Sequence, residues 1–344
     1  MSAGMMVVVG MVLLLFLLAG LLSLRGSRIR RDLAAKYPPP GELVDTGGYH
    51  LHICCQGRDR SQGTPTVVLE AADFSLSWDS VQPGIARFAR VCSYDRAGLG
   101  WSERGPARTA GNIVKELHTL LETAGMAPPY VLVGHSKGGL FVRLYAHVYP
   151  DEVAGMVLVD SAHEEQELRF PESITRLNQS ARKQTVRLMA LVRRLNVSGI
   201  LTPALRRYSG ALLSTVPERV REAGLAVALS GRFLKTVIEE TESMEEHYAA
   251  VRAARITTLG EMPLTVLTAA DQFEGLERHV TVKDVEQLRT VVSEMQAELA
   301  ALSPNGKLVP VEGSGHYIQV DQPLLVIEAV REVVEAAKRI RPDI

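Results

Sequence analysis

The sequence predicts an α/β fold, a mostly parallel sheet covered by helices on both faces. Three observations lead there. Apolar runs of strand length alternate with amphipathic helical patterns between about residues 66 and 160, the order that parallel strands need for their crossovers. Over residues 162–261 only helical patterns occur, and the alternation then resumes. Between them stands Tyr130-Val131-Leu132-Val133-Gly134-His135-Ser136-Lys137-Gly138-Gly139, a strand run that passes through Gly-x-Ser-x-Gly straight into the helical Leu140–Tyr145.

The first stretch is of another kind. Met5 to Leu24 carries no charge, and a run of that length spans a bilayer core of about 30 Å. No Lys or Arg precedes it, whereas Arg25, Arg28, Arg30 and Arg31 follow directly. A cleavable signal would show a basic start and a shorter apolar core. Residues 1–24 therefore read as a single-pass transmembrane anchor, and the positive-inside bias puts the remainder on the cytoplasmic side of the membrane. Residues 25–41 read as a juxtamembrane linker, basic first and then stiffened by Pro38-Pro39-Pro40. The triplets Asn178-Gln179-Ser180 and Asn196-Val197-Ser198 fit the glycosylation pattern but carry little weight.

Glu42 to Gly57 reads as a hairpin turning at Gly47-Gly48, with His50 and His52 alternating onto one exposed strand face. Thr66-Val67-Val68-Leu69 is a buried strand that ends in Glu70-Ala71-Ala72-Asp73. A helix around Val81 to Phe88, the strand Arg90–Tyr94 and the glycine-punctuated loop Asp95–Ser102 follow. That loop lacks the third glycine and the helix of a dinucleotide site. Thr109 to Glu122 is a helix with Ile113, Val114, Leu117, Leu120 and Leu121 on one stripe. Gly155–Val159 is a strand with Asp160 at its carboxyl end. Residues 162–261 form a helical cap, in which the basic pairs Arg182-Lys183, Arg193-Arg194 and Arg206-Arg207 read as solvated helix faces. Pro263–Thr268 is a strand with Asp271 just beyond it. A helix through Val285–Leu299, the last strand Lys307–Val311, its exit loop Glu312–His316 and a terminal helix opened by Pro323 complete the core, residues 42–161 and 262–340.

Composition narrows the function. A net charge of −1 and a pI near 6.8 give no reason to expect nucleic-acid binding. Three cysteines, two of them adjacent, make no disulfide framework, and Cys54, Cys55 and Cys92 read as small buried hydrophobes. A serine hydroxyl is a poor nucleophile until a sharp strand-to-helix turn lifts it towards a base. Ser136 stands on such a turn, and the backbone N–H of Lys137 opens the helix beside it, where charge would develop on a substrate oxygen. Of nine histidines, His316 alone sits in a glycine-bracketed loop after a late strand. That setting suits the base that takes the serine's proton.

With Gly134–Gly139, the Asp95–Ser102 loop and Gly313-Ser314-Gly315-His316 in place, the chain resembles the α/β-hydrolase superfamily from about Gly41 to Lys338. The resemblance implies an eight-stranded, mostly parallel sheet with a helical cap inserted after the sixth strand. It also implies a second oxyanion donor after the third strand. Many members carry His-Gly there, and this chain has Glu70-Ala71-Ala72, leaving the Ala72 N–H to serve. Two carboxylates obey the order Ser…Asp…His. Superfamily precedent favours Asp271. Asp160 is preferred because it ends its strand without an intervening turn, and because the chain looks like a subgroup in which Val-Asp-Ser-Ala-His-Glu, here Val159 to Glu164, recurs. The expected activity is that of a serine hydrolase (carboxylesterase- or lipase-like) acting on an apolar acyl substrate with no cofactor and no metal. The alternatives are an acyltransferase using the same residues and a membrane-tethered binding protein without catalysis.

Overall fold

The structure, a computed structural model, describes residues 2–57, 63–195, 198–212 and 216–340. Eight strands form one sheet: β1 (Glu42–Asp45), β2 (His50–Gln56), β3 (Thr66–Glu70), β4 (Val91–Tyr94), β5 (Tyr130–His135), β6 (Val153–Val159), β7 (Leu264–Ala269) and β8 (Gly306–Val311). Their spatial order is β1-β2-β4-β3-β5-β6-β7-β8. The first three in that order pair antiparallel and the rest parallel. The helices of eight or more residues are α1 (Ala3–Lys36), α2 (Ala110–Thr123), α3 (Gly138–Val148), α4 (Glu172–Arg194), α5 (Thr202–Leu212), α6 (Glu218–Ala228), α7 (Gly231–Glu242), α8 (Met244–Ala254), α9 (Val282–Ala300) and α10 (Pro323–Ile340).

The central strands are apolar on both sides because both sides are covered. Val68, Leu132, Met156 and Leu158 pack with Leu117 of α2 and Phe141 of α3. The alternating set Val67, Val131, Val133, Val157 and Val159 packs with Trp78, Ile85 and the stripe Val326, Val330, Val333 and Val334 of α10. Each such side chain, fully buried, contributes about 1.5–3 kcal/mol. Thr109 caps α2 by accepting from the Asn112 N–H, which explains where that helix starts.

Two compact units divide the chain: Met1–Pro38 with Lys183–Ile238, and Pro39–Arg182 with Glu239–Ile344. Of the cap expected over residues 162–261, residues 183–238 fall in the first unit and residues 162–182 and 239–261 in the second. Helix α1 does not stop at Leu24 but runs on to Lys36, because nothing between Arg25 and Lys36 breaks it before Pro38. In the first unit its later turns bury Leu33 against Ala226 of α6 and Leu229, with Ile29, Tyr37 and Leu205 around them.

Two smaller expectations change. Cys55 and Cys92 form a disulfide, since β2 and β4 are neighbours and these two residues stand directly opposite. His52 is fully buried rather than exposed. Its Nδ1–H donates to Asp95 at 2.7 Å, and its Nε2 accepts from the Gly41 N–H at 3.2 Å. Asp95 also accepts from the N–H groups of Ser75 and Trp101, so the Asp95–Ser102 loop is wound around one carboxylate. Of the two glycosylation triplets, Asn178 lies inside α4, and the one at Asn196 lies outside the described residues.

Candidate active site

The site begins with strand register. β5 and β6 are parallel, and His135 pairs with Val159, so Ser136 and Asp160 leave the sheet side by side. Both then turn sharply, with φ of 54° and 40°. A left-handed conformation costs a non-glycine residue about 1–3 kcal/mol and persists only where surroundings enforce it. Here the Ser136 N–H donates to Val159 O at 3.1 Å, the Asp160 N–H to Leu267 O at 2.8 Å, and the Ala162 N–H to Ser136 O at 2.9 Å. Glycines let the chain close in: a Cβ on Gly138 would meet Glu70 O at 2.6 Å.

His316 arrives on the loop after β8. Its Nδ1–H donates to Asp160 Oδ2 at 2.6 Å. The other oxygen, Oδ1, accepts from the Ala269 N–H at 3.0 Å and the Gln272 amide at 3.2 Å. Asp160 is thus held on both oxygens, and the His316 ring is turned so that its Nε2 faces away from the carboxylate. The His316 ring is half exposed while the Asp160 carboxylate is buried. Asp271 does not reach the ring. It accepts the Gly313 N–H at 2.9 Å, and its own N–H donates to Ser314 O at 3.2 Å, so it supports the backbone of the His316 loop.

His135 is completely buried. Its Nε2–H donates to the His316 carbonyl at 2.9 Å, and its ring lies 4.8 Å from the His316 ring. Burial, reinforced by the field of His316, pulls its pKa down to about 3, so it is neutral. The residue that precedes the serine in Gly-x-Ser-x-Gly thereby braces the loop that carries the histidine.

Parallel register also places the oxyanion candidates. Glu70 pairs with Gly134, so Ala72 and Ser136 each lie two residues beyond that pair. Lys137 follows at the start of α3. Among the described residues, neither the Ala72 N–H nor the Lys137 N–H donates to a backbone acceptor. The side chain of Lys137 is engaged elsewhere, with its ammonium 2.6 Å from Glu240 Oε2.

Glu240 escaped sequence reasoning altogether. Fully buried, it takes Arg96 Nε at 3.0 Å and Nη2 at 2.9 Å besides Lys137, with Arg108 Nε at 3.5 Å. Burial would raise its carboxyl, but Arg96, Lys137 and Arg108 outweigh that and hold it well below the usual range. Arg96 in turn pairs with Glu70 and donates to Ala72 O at 2.9 Å. A chain of ion pairs thus runs from Glu70, at the end of β3, through Arg96 and Glu240 to Lys137, the residue after Ser136. Asp73, the neighbour of Ala72, was missed too. Its field and burial push the Tyr317 hydroxyl up to about 12.

One further cluster, His163 with Glu165 and Glu298, has the spacing of metal ligands. His163 Nδ1 already accepts the Glu165 N–H, so its Nε2 carries the proton, and Arg169 occupies Glu298 at 2.7 Å. As built it is an ion-pair cluster. A cleft of about 370 Å³ lined by Phe170, Ile174, Phe273, Leu276 and Leu288 includes Gln272, the residue that holds Asp160. The larger groove, about 720 Å³, lies at the amino ends of β7 and β8, the opposite end of the strands from Ser136.

An eight-stranded sheet of this order, with a serine elbow after the fifth strand and helices inserted after the sixth, defines the α/β-hydrolase fold. The family model for the alpha/beta hydrolase fold matches residues 71–224. An AB hydrolase superfamily protein of Gibberella zeae is 27% identical over 303 residues, 80% of this chain and 87% of that one. The (lyso)-N-acylphosphatidylethanolamine lipase of Homo sapiens is 28% identical over 108 residues, 30% of this chain and 31% of that one. Three further curated relatives are matched over only 20%, 42% and 46% of their own length. Among solved structures, MGS-M2, an alpha/beta hydrolase enzyme from a Medee basin deep-sea metagenome library, superposes with a TM-score of 0.61 at 17% identity, covering 85% of this chain and 97% of that one. The chain has the α/β-hydrolase fold, and the family model for that fold matches it over residues 71–224.

Proposed function

We propose that the chain is a serine hydrolase that cleaves acyl esters through Ser136, His316 and Asp160. The observation that carries this reading is the 2.6 Å bond from His316 Nδ1–H to an Asp160 carboxylate fixed on both oxygens, beside a serine on a left-handed turn. In the proposed cycle Ser136 Oγ attacks the ester carbonyl while His316 Nε2 takes its proton. Asp160 stabilises the imidazolium and fixes its tautomer. The Ala72 and Lys137 N–H groups bind the oxyanion, each worth about 3 kcal/mol. His316 then protonates the leaving alcohol, and the acyl-enzyme is hydrolysed by water activated by the same imidazole. A serine at the elbow favours acyl chemistry over the alkyl-enzyme route that an aspartate there would open. Phe170, Ile174, Phe273, Leu276 and Leu288, which share the cleft at Gln272 with Asn178, Glu274 and His279, favour chains longer than acetate.

The proposal extends to the membrane. Helix α1 holds a stretch of mean hydropathy 2.9 with none of it buried, which supports a single-pass anchor over residues 1–24. Arg25 to Arg31 favour a cytoplasmic catalytic domain. The Cys55–Cys92 disulfide favours the opposite, oxidising side. Protease protection in intact cells decides between them.

A fluorophosphonate probe and a series of p-nitrophenyl esters test the activity. The wild type takes the probe at Ser136, Ser136→Ala takes none and has no turnover, and kcat/KM rises with chain length, about tenfold for two buried CH₂ groups at ~0.8 kcal/mol each. Probe labelling and turnover unchanged in a folded Ser136→Ala overturn the assignment.

A further inference from the structure

The segment from Ser173 to Pro217 contains eight Lys or Arg and no Asp or Glu, in a chain of net charge −1. Within the unit that also holds α1, Leu188, Leu191 and Leu195 are 62%, 53% and 50% exposed. Their spacing of three and four residues puts them on one side of α4 and its final turn. Lys183, Arg187 and Arg194 border this apolar stripe and are themselves exposed. Solvent-facing leucines in a row, edged by cations, leave apolar area in water unless something covers it.

The position of the stripe relative to α1 says what covers it. The next described element after Leu195 is the short helix Ser198–Leu201, which packs on α1. The approach is so close that a Cβ on Gly199 would meet Gly26 O at 2.3 Å. Gly26 is two residues past Leu24, the end of the uncharged run, or about 3 Å further along the helix. A bilayer core ends where that run ends, and the headgroup layer occupies the next few ångströms. The short helix, with Leu201 also exposed, and the end of α4 therefore stand at headgroup level.

We infer that the face of α4 formed by Leu188, Leu191 and Leu195, with its edge of Lys183, Arg187 and Arg194, lies in the headgroup layer of an anionic lipid surface. The inference rests on α1 spanning that membrane. Leucines enter the boundary of the acyl chains while the basic side chains extend to lipid phosphates, the arrangement of an interfacial helix. Anionic lipids attract it by charge complementarity, and the anchor keeps it within reach at all times.

The test uses the whole chain in phosphatidylcholine bilayers with and without phosphatidylglycerol. In a Cys54→Ser background, Leu191→Cys carries an environment-sensitive dye, and Lys283→Cys, exposed on α9, provides the reference in water. The expected result is strong quenching of the Leu191→Cys dye by lipids bearing a nitroxide near the headgroup, with iodide quenching at least fivefold weaker than at Lys283→Cys. Arg187→Gln with Arg194→Gln should lower the lipid quenching only where phosphatidylglycerol is present. Iodide reaching both dyes equally overturns the inference, and so does a dye shielded from iodide and lipid alike, which would mean a second copy or another protein covers the face. Alkaline carbonate extraction reports separately on α1. A chain released by carbonate refutes the anchor, while the quenching pattern on added vesicles still decides the fate of α4.

Discussion

Asp160 and Asp271 look alike in the sequence, each a carboxylate at the carboxyl end of a buried strand before His316, yet they serve different halves of one residue. Asp160 binds the imidazole of His316, and Asp271 binds the backbone of the loop that carries it. The difference arises from how each is held. Asp160 sits on a turn locked between β5 and β7, with its N–H on Leu267 and Oδ1 on Ala269. Asp271 is exposed on the loop, two residues past the end of β7, where Asp160 directly follows β6. The sheet aims Asp160 at the ring, whereas Asp271 ties down the loop backbone.

Breaking the comparison outright gives the largest expected effect. Asp160→Asn keeps the shape but presents an amide to the ring, so His316 loses the tautomer it needs. The expected loss in kcat is about 10⁴-fold, as for the equivalent change in the serine-protease template. Asp271→Asn retains an oxygen that accepts the Gly313 N–H and should stay near wild type. Both are measured on an activated ester after circular dichroism confirms folding. The reverse pattern would move the acid to Asp271.

Packing between the two turns offers a smaller lever. A Cβ at Gly139 would meet Ser161 Oγ at 1.9 Å and its Cβ at 2.6 Å. Gly139→Ala therefore pushes directly on the residue after Asp160. It should cost about 1–3 kcal/mol in urea unfolding and lower kcat. An unchanged midpoint would show that the Asp160 turn yields more easily than its hydrogen bonds imply.

His135 adds a pH signature to the Asp160 side. Its folded pKa, about 3, lies below the ordinary value of 6.5. The unfolded state therefore binds the extra proton as pH falls from 6.5 towards 3. Stability from this group is fully present above 6.5 and is lost on acidification through that window. Between pH 7.5 and pH 5 the loss is about 2 kcal/mol at ~1.4 kcal/mol per pH unit. His163 and His247, also lowered by burial, add to the slope. In His135→Gln the drop between these pH values should shrink by that ~2 kcal/mol, and an unaltered drop assigns the slope to the other two.

These cases show what a sequence can carry. The sheet, the elbow after β5 and the insertion after β6 were legible because apolar runs of strand length, Gly-x-Ser-x-Gly and the loss of alternation are local signals. Ser136, Asp160 and His316 stood out as candidates for the same reason: each follows directly on a strand or lies in its exit loop. Glu240 was not, because its partners Arg96, Arg108 and Lys137 lie more than a hundred residues away and nothing local marks a buried carboxylate on a helix. The Cys55–Cys92 pairing and the burial of His52 depend on which strands neighbour β2, and a hairpin read alone does not tell. Helix α1 outlasts its apolar run because helix continuity follows backbone geometry, not hydropathy.

The smallest expected effect sharpens the comparison most. If Asp271 only tethers the loop, Asp271→Ala removes an acceptor for the Gly313 N–H on an exposed stretch where water can replace it. The net loss of such a bond is about 1 kcal/mol. The loop keeps other ties: Asp321 Oδ2 accepts the Gly315 N–H at 3.0 Å, and His135 holds the His316 carbonyl. The expected outcome is a fall in kcat of about fivefold or less, with KM for a small ester unchanged because no substrate contact is lost. Combining Asp271→Ala with Asp321→Ala should cost more than the product of the single effects, since the two carboxylates share one loop. Strict additivity in that double-mutant cycle would show that Asp271 acts on something other than the position of His316.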